Sequence, residues 1–529
     1  MAMRFVCLVV GVSLLAACGG GGGWKSSCSA DDPCSAGNFC AHRPDGNVCW
    51  PDEDVPSVEA VVQSCSQTPC LRDSVLTVRA TVRDADYDGW RGELDVRAAL
   101  SIDPENARPM RSVGGDEWEL SVPLAEVPFG HFAADVTATV TVTDEAENAG
   151  QPVTSEQVNV TRRKWVVALP GQGGTSFPLM APAIVNDGGV IVAGSDGTLH
   201  FVTTAGAEAR AVSIGGVVNG PPVVGAGAIW LARQDGQLSR RSLVNGDAIA
   251  LTDCATTAGA ALLGPPVIFG DRVVATSSGQ EILVVRASGS CAPSVLGDSI
   301  TTPAVVDRDG GVLLATGSVL RKFSVAASSA LVDAWTGLTV SLGGAVSKPL
   351  ALDAEKGIWT TAASGLVYRT TSAGVSGQVS AAPALGSQGS ILLGDGSAVV
   401  ADEAGTLRRI ARSGQELPWT QTVSLTGAPR VPLALRGAVA TLLVPTSTGR
   451  LYEVSQDTGQ ILWETSLSTQ GLQPANVWTE PDASTSTAYL AGDNGSLHAV
   501  IVDGGLDTTA PWPKVFHDPQ NTSNAATPF

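Results

Sequence analysis

Two unrelated markers recur in step through the last two thirds of this chain, and an internal repeat restricts a fold more than composition does. One is a proline that follows a small or polar residue and opens a strand, at Pro182, Pro222, Pro266, Pro303, Pro349, Pro383, Pro432 and Pro474. The other is a turn glycine ahead of a short strand, at Gly197, Gly236, Gly279, Gly317, Gly365, Gly405, Gly449 and Gly495. Spread over seven intervals from Gly197 to Gly495, the unit is about 43 residues, the length of a four-stranded propeller blade. Glycine suits that turn because a two-residue hairpin needs φ > 0 there. A third and fainter marker is an outer strand, WVVAL (165–169), PWTQTVSL (418–425) and LWETSL (462–467), with Trp335 in a degenerate version. The first of these precedes the first proline, and no such strand follows Leu497. Residues 165–169 are therefore expected to complete the last blade, closing the ring and removing its exposed edges. The expected fold is all-β: an eight-bladed β-propeller over 165–512, with seven blades as the alternative, and a tail over 513–529.

Ahead of the repeat, residues 55–162 alternate apolar and polar side chains in SVLTVRATVRD (74–84), EWELSVPL (117–124) and ADVTATVTVTD (134–144). Period two marks half-buried strands, and about 108 residues suits one β-sandwich. TVTDEAENAG (141–150) resembles the turn before the last strand of immunoglobulin-like or fibronectin-like domains. Arg162, Arg163 and Lys164 read as a basic junction that ends this domain. Only 16% of residues are charged, while Gly, Ser, Thr and Val abound; this is a composition for strands and turns.

The first seventeen residues carry Arg4 and then an apolar run from Phe5 to Leu15. That run is too short for a spanning helix, which needs about 20 residues, and has the length of a signal-peptide core. Leu15-Ala16-Ala17-Cys18 resembles the bacterial lipobox. The resemblance implies cleavage after residue 17 and acylation of Cys18, which anchors the chain to a bilayer. Gly19 to Gly23 follow as a flexible tether (18–23). In such lipoproteins Asp directly after the cysteine favours the inner membrane. Gly19 there implies the outer membrane, facing the periplasm or the cell surface. The net charge of −19 argues against a nucleic-acid partner, whose phosphates need Lys and Arg.

Of ten cysteines, Cys7 leaves with the signal and Cys18 takes lipid. The other eight form an even set in an exported chain and read as disulfides. Residues 24–50 hold Cys28, Cys34, Cys40 and Cys49 among few apolar residues, so this segment must be stapled. It resembles small cysteine-rich modules near the N-termini of surface proteins. Three pairings are open, with Cys28–Cys40 and Cys34–Cys49 the expected one; a zinc site using His42 is the alternative reading. Cys65 and Cys70 are close enough to clip a local turn. Cys254 and Cys291 pair by elimination.

Asp457, Thr458, Gly459 and Trp463 make a D-x-x-T-G-x-x-x-W repeat that resembles the tryptophan-docking repeat of pyrroloquinoline-quinone-like (PQQ-like) propellers. SGQELPW (413–419) keeps part of it, and the tail APWPKVFHDPQNTSN (510–524) resembles the tail of the same class. With the lipobox, the chain is similar in kind to the propeller lipoprotein of the outer-membrane barrel-assembly machinery. Quinoprotein dehydrogenases share the repeat but use PQQ, calcium and an Asp base, many with adjacent cysteines. This chain has no adjacent cysteines and no recognisable Glu-Asn-Asp set, so PQQ and enzymatic activity are not expected. Nor does it contain G-x-S-x-G, H-E-x-x-H or a P-loop. Its histidines (42, 131, 200, 498 and 517) are scattered, and His200 and His498 share one repeat position, which points to a structural or surface role. One loop suits a hard cation: Asp84, Asp86, Asp88 and Gly89 begin a D-x-D-x-D-G frame whose twelfth position is Asp95. Calcium there is weighed against a solvated hairpin. The function expected is non-enzymatic: a membrane-anchored propeller that binds another protein or a surface polymer. A quinone-dependent oxidoreductase and an accessory of outer-membrane protein assembly are the alternatives.

Overall fold

The computed structural model describes residues 28, 29, 34, 38–41, 46–51, 55–84, 94–144, 147–171, 174, 176–252, 254–257, 259–286, 289–380 and 383–528. Apart from one short 3-10 turn, Leu124–Glu126, its regular structure is strand throughout. The chain divides into two compact units, one holding residues up to 64 with 76–122 and 136–158, the other 65–75, 123–135 and 159 onward.

In the first unit, Asn38–Ala41 pairs antiparallel with Val48–Pro51, setting Cys40 opposite Cys49. Disulfides join Cys28 to Cys40 and Cys34 to Cys49, standing in for the core that so short a segment lacks. Two four-stranded sheets follow. One runs in the order Ser57–Cys65, Val75–Arg83, Glu117–Pro123, Arg111–Gly114; the other Val153–Thr154, Ala138–Thr143, Asp95–Leu100, Asp103–Pro109. The period-two pattern decides which face is covered: Leu76, Val78, Ala80 and Val82 are buried on one strand, and Ala138, Val140 and Val142 on another.

The second unit is a propeller. Its described residues include eight sheets whose inner strands are Ala183–Ile184, Val223–Gly225, Leu262–Phe269, Val305–Val306, Ala351–Leu352, Ser390–Leu392, Leu433–Gly437 and Asn476–Trp478. Each continues outward through antiparallel hairpins. Because a blade is covered on both faces by its neighbours, its second strand is buried without alternation: Val190–Ala193, Ala228–Ala232 and Ser486–Ala491 are buried at every position. Consecutive sheets share cores, and the last meets the first where Tyr489 and Leu497 pack with Ile184 and Val192. Arg163–Ala168 pairs with Ser496–Val502, placing Val166 opposite His498. The chain's two ends of the repeat thus meet in one sheet and close the ring.

Of the eight turn glycines, seven have φ between +61° and +95°; Gly279 does not. The prolines lie in or just before inner strands, except Pro383, which sits farther from Ser390–Leu392. One expectation fails. PWTQTVSL forms no outer strand, and the sheet through Ala398–Ala401 stops at three strands. The segment keeps only scattered contacts to its own blade, a single bridge between Thr406 and Ser424 and N–H donation from Leu425 to Gly405 O (2.9 Å) and from Leu417 to Arg409 O (2.8 Å). Its side chains reach the next blade: the Trp419 indole N–H donates to Gln456 O (2.7 Å) and the Thr420 hydroxyl to Thr458 O (2.9 Å). The Trp165 and Trp335 indoles donate in the same way to Thr204 O (2.8 Å) and Ser372 O (3.1 Å). Glycine on the receiving turn is steric: a Cβ on Gly206 or Gly459 would sit 2.6 Å or 2.7 Å from Trp165 or Trp419. Cys254 and Cys291 are joined with Cα atoms 5.2 Å apart, stapling the second blade to the outer strand of the third. Cys65 and Cys70 form a fourth disulfide.

Candidate functional site

Among the described residues only the inner strand Leu433–Gly437 has a strand beyond it, Gly504–Leu506, so most inner-strand backbone donors need other partners. The chain after Leu506 supplies them. The N–H groups of Ala434, Leu392, Ile184, Val224, Ile268 and Val306 donate to Pro513 O (2.7 Å), Trp512 O (2.9 Å), Pro519 O (2.9 Å), Gln520 O (2.9 Å), Thr522 O (3.1 Å) and Ser523 O (3.0 Å). The Asn476 amide donates to Pro519 O (2.7 Å), and that of Asn521 to Pro182 O and Pro222 O (3.1 Å each). The remaining inner strand, Ala351–Leu352, is reached by packing, since Trp512 and Ala525 join the core that holds Leu352. The tail fills the middle of the ring.

Its tight path needs positive φ at Phe516, His517, Asn521 and Ser523 and a polar knot around Lys514. The buried Lys514 ammonium donates to Val515 O (2.8 Å), Asp518 O (2.9 Å) and Asn521 Oδ1 (2.7 Å). Burial pushes its pKa down to about 7, with the Asp518 carboxylate acting in the opposite direction. Asp518 accepts from the Thr522 N–H (3.0 Å) and hydroxyl and lies 3.3 Å from His517 Nδ1.

At the end of the ring where inner strands begin, all eight blades contribute to a funnel of about 450 Å³. The repeated prolines or their neighbours form its rim, and Val515 and Phe516 of the tail line it from within. Among the described residues, its charged lining side chains are Lys348 and Arg430. Lys348 Nζ donates to Gln388 Oε1 (3.3 Å). Arg430 Nε donates to Leu472 O (3.1 Å), and its Nη2 lies 3.7 Å from Asp493 Oδ2. At the other end, a cleft of about 650 Å³ lies between the sixth and seventh blades. Its described lining carries three acids, Asp395, Asp457 and Asp507, against two bases, Arg409 and Arg436. Arg409 pairs with Asp395, and Arg436 lies 3.9 Å from Asp507. Burial works to raise the Asp395 pKa, but hydrogen bonds from Ser397 and Arg409 prevail and hold it below the usual carboxylate range.

The residues singled out by sequence do not converge on one site. Cys18, His42, Asp86, Asp88 and Gly89 lie outside the described residues. The Asp95 carboxylate is engaged by its neighbour Arg97, whose Nε stands 2.9 Å away. His200 and His498 are both buried on matching strands, so the surface half of that reading is corrected. His200 Nδ1 lies 2.6 Å from Glu208, and His498 Nε2 lies 2.8 Å from Ser496 Oγ. Burial, then the nearby Arg163 charge, lowers the His498 pKa to about 4. His517 belongs to the tail, and His131 is exposed.

Sequence reasoning also missed Arg162, which is not a solvated junction but wholly buried. It donates to Phe129 O (2.7 Å), His131 O (2.8 Å) and Ile501 O (3.3 Å), pairs with Asp503, and lies over the Phe129 and Trp463 rings. Arg72 reaches the same carboxylate at 3.0 Å. Burial raises the pKa of Glu453 nearby, the Arg162 charge opposing it. Nothing in the local pattern of 159–164 separates Arg162 from its basic neighbours.

The sequence matches no family model and no curated protein. The chain is similar to several solved structures. They include a computationally designed protein, Ika8 (14% identity, 63% of this chain and 99% of that one, TM-score 0.46). BamB from Moraxella catarrhalis is another (15%, 63% and 97%, TM-score 0.47), as is a streptogramin B lyase (12%, 64% and 98%, TM-score 0.41).

Proposed function

We propose that this chain is a lipoprotein, anchored through Cys18 in the outer membrane, whose propeller binds another protein without catalysing a reaction. The observation that carries the reading is the tail. Residues 512–524 occupy the middle of the ring and bond to its inner strands, so the axis is a packed core, while the funnel at one end stays open. A closed ring with an open mouth offers a preformed surface, which spares a binding partner the cost of ordering it. A quinone cofactor on the axis is disfavoured by the same tail, because its room is taken by Trp512, Lys514 and Asn521. The N-terminal basis for the anchor is the sequence of residues 1–23.

Cross-linking of the full-length lipoprotein in its own cells, followed by identification of what it captures, tests the reading. One defined protein recovered with wild type and lost on denaturation before cross-linking is the expected result. Recovery of the barrel-assembly machinery makes the chain an accessory of that process, and no specific capture overturns protein binding. Metabolic labelling with a clickable fatty acid, absent in Cys18→Ala, tests the anchor separately.

A further inference from the structure

The funnel has a charge unlike that of the chain around it. The whole protein carries −19, yet among the described residues the charged side chains lining the funnel are the cations Lys348 and Arg430. Neither is fully engaged by acid. Among the described residues Lys348 has a neutral amide as its partner. Arg430 has five donors, of which Nε serves a carbonyl and one Nη faces Asp493 at 3.7 Å. That Asp493 carboxylate is itself drawn back by Gln473 Nε2 at 2.7 Å. Beside these groups lie two apolar tail residues, the buried Val515 and the half-buried Phe516. At about 450 Å³ the funnel is within the usual size range of ligand pockets.

We infer that the funnel binds a carboxylate carried by a polypeptide, held by Lys348 and Arg430, with an adjacent apolar side chain of that polypeptide against Val515 and Phe516. A carboxylate fits because it accepts charge-assisted hydrogen bonds from both cations, and guanidinium offers it a planar fork. A cationic ligand is refused by like charge. This inference rests on the protein-binding function proposed above and names the chemistry it uses. Two sources supply such a carboxylate: an Asp or Glu inside a chain, or the C-terminus of a chain.

Short random peptides displayed on phage separate the two sources, one library tethered so that only internal residues are presented and one with free C-termini. Both are selected on the full-length protein. The expected outcome is enrichment of Asp or Glu beside an apolar residue in the first library, or of an apolar C-terminal residue in the second. Synthetic copies of the enriched peptides should lose about tenfold in affinity on Lys348→Glu and on amidation or Asp→Asn. Lys348→Gln, which removes the charge while leaving the backbone contacts of Arg430 in place, should weaken binding less, with unchanged thermal unfolding. Peptides without acid, affinity that survives Lys348→Glu, or no enrichment in either library each overturn the inference. If Lys348→Glu still cross-links the cellular partner as wild type does, the funnel inference falls and the protein-binding function stands. If wild type captures nothing, that function falls on its own.

Discussion

Lys514 shows how one residue in the tail ties stability to pH. Its ammonium is surrounded by three acceptors within 2.9 Å, yet burial brings its pKa from 10.5 to about 7. Between those values the unfolded chain binds a proton that the folded chain does not, so stability rises with pH across this window. Below about 7 the full burial penalty is present. Lys514→Met removes the titration and strands the acceptors, at a cost of about 2 kcal/mol. Thermal unfolding of both proteins from pH 7 to 10.5 should show wild type gaining on the variant as pH rises. A gap that is constant or narrows with pH would show that Lys514 does not titrate in the fold. His498 sets a second window: with its pKa lowered to about 4 against about 6.5 in the unfolded chain, it withdraws stability as pH falls from 6.5 to 4. Neither effect is readable in the sequence, where Lys514 follows Trp512-Pro513 and precedes Val515-Phe516 with nothing to mark an ammonium enclosed by acceptors.

At the scale of the blade, the unit of cohesion is an aromatic side chain seated on the next blade's turn glycine. Gly459 has φ +74°, and a Cβ there would lie 2.7 Å from the Trp419 Cβ and 3.0 Å from Gln421 O. Gly459→Ala therefore adds backbone strain and displaces the indole that donates to Gln456, together about 2 kcal/mol. A methyl group added at Gly377 would meet nothing within 4 Å, and the φ there is an ordinary one, so Gly377→Ala should change stability by less than about 0.5 kcal/mol. Urea unfolding of the two variants checks the contrast, and equal effects would refute the docking role. The repeat itself was legible through a different glycine, the one in the hairpin turn between a blade's second and third strands, where a positive φ is needed each time. Seven of the eight turn glycines have the conformation that need implies, and residues 163–168 close the ring. That 418–425 keeps one bridge to its own blade and forms no continuous strand was not legible, because the Trp419 indole reaches the next blade's Gln456 O whether or not the backbone around it pairs regularly. The funnel was only half legible. Its rim of prolines was marked, but Lys348 and Arg430 meet there only because a ring brings distant loops together.

For the molecule as a whole, most inner strands would present unmet donors at the inner edge of the ring, Leu433–Gly437 alone among those described being paired there, with Gly504–Leu506. The closing strand does not meet them, since Arg163–Ala168 pairs at the outer edge. The tail does. Six inner-strand N–H groups, from Ile184 to Ala434, take their acceptors from Trp512 to Ser523, and Trp512 is among the largest fully buried side chains. Each buried donor left without a partner costs about 1–3 kcal/mol, so removing all six is comparable to the whole net stability of a domain, about 5–15 kcal/mol. Water entering an emptied channel would recover part of that loss, but not the apolar contacts of Trp512 and Val515. A chain ended at Ala510 should therefore lose its cooperative urea transition and its near-ultraviolet circular dichroism. One ended at Ala525, which keeps the Ala525 N–H bond to Val306 O (2.9 Å), should unfold close to wild type. If the shorter chain kept the wild-type midpoint, the blades would cohere without their central segment, and the tail would be a passenger in the channel rather than the part that holds the ring together.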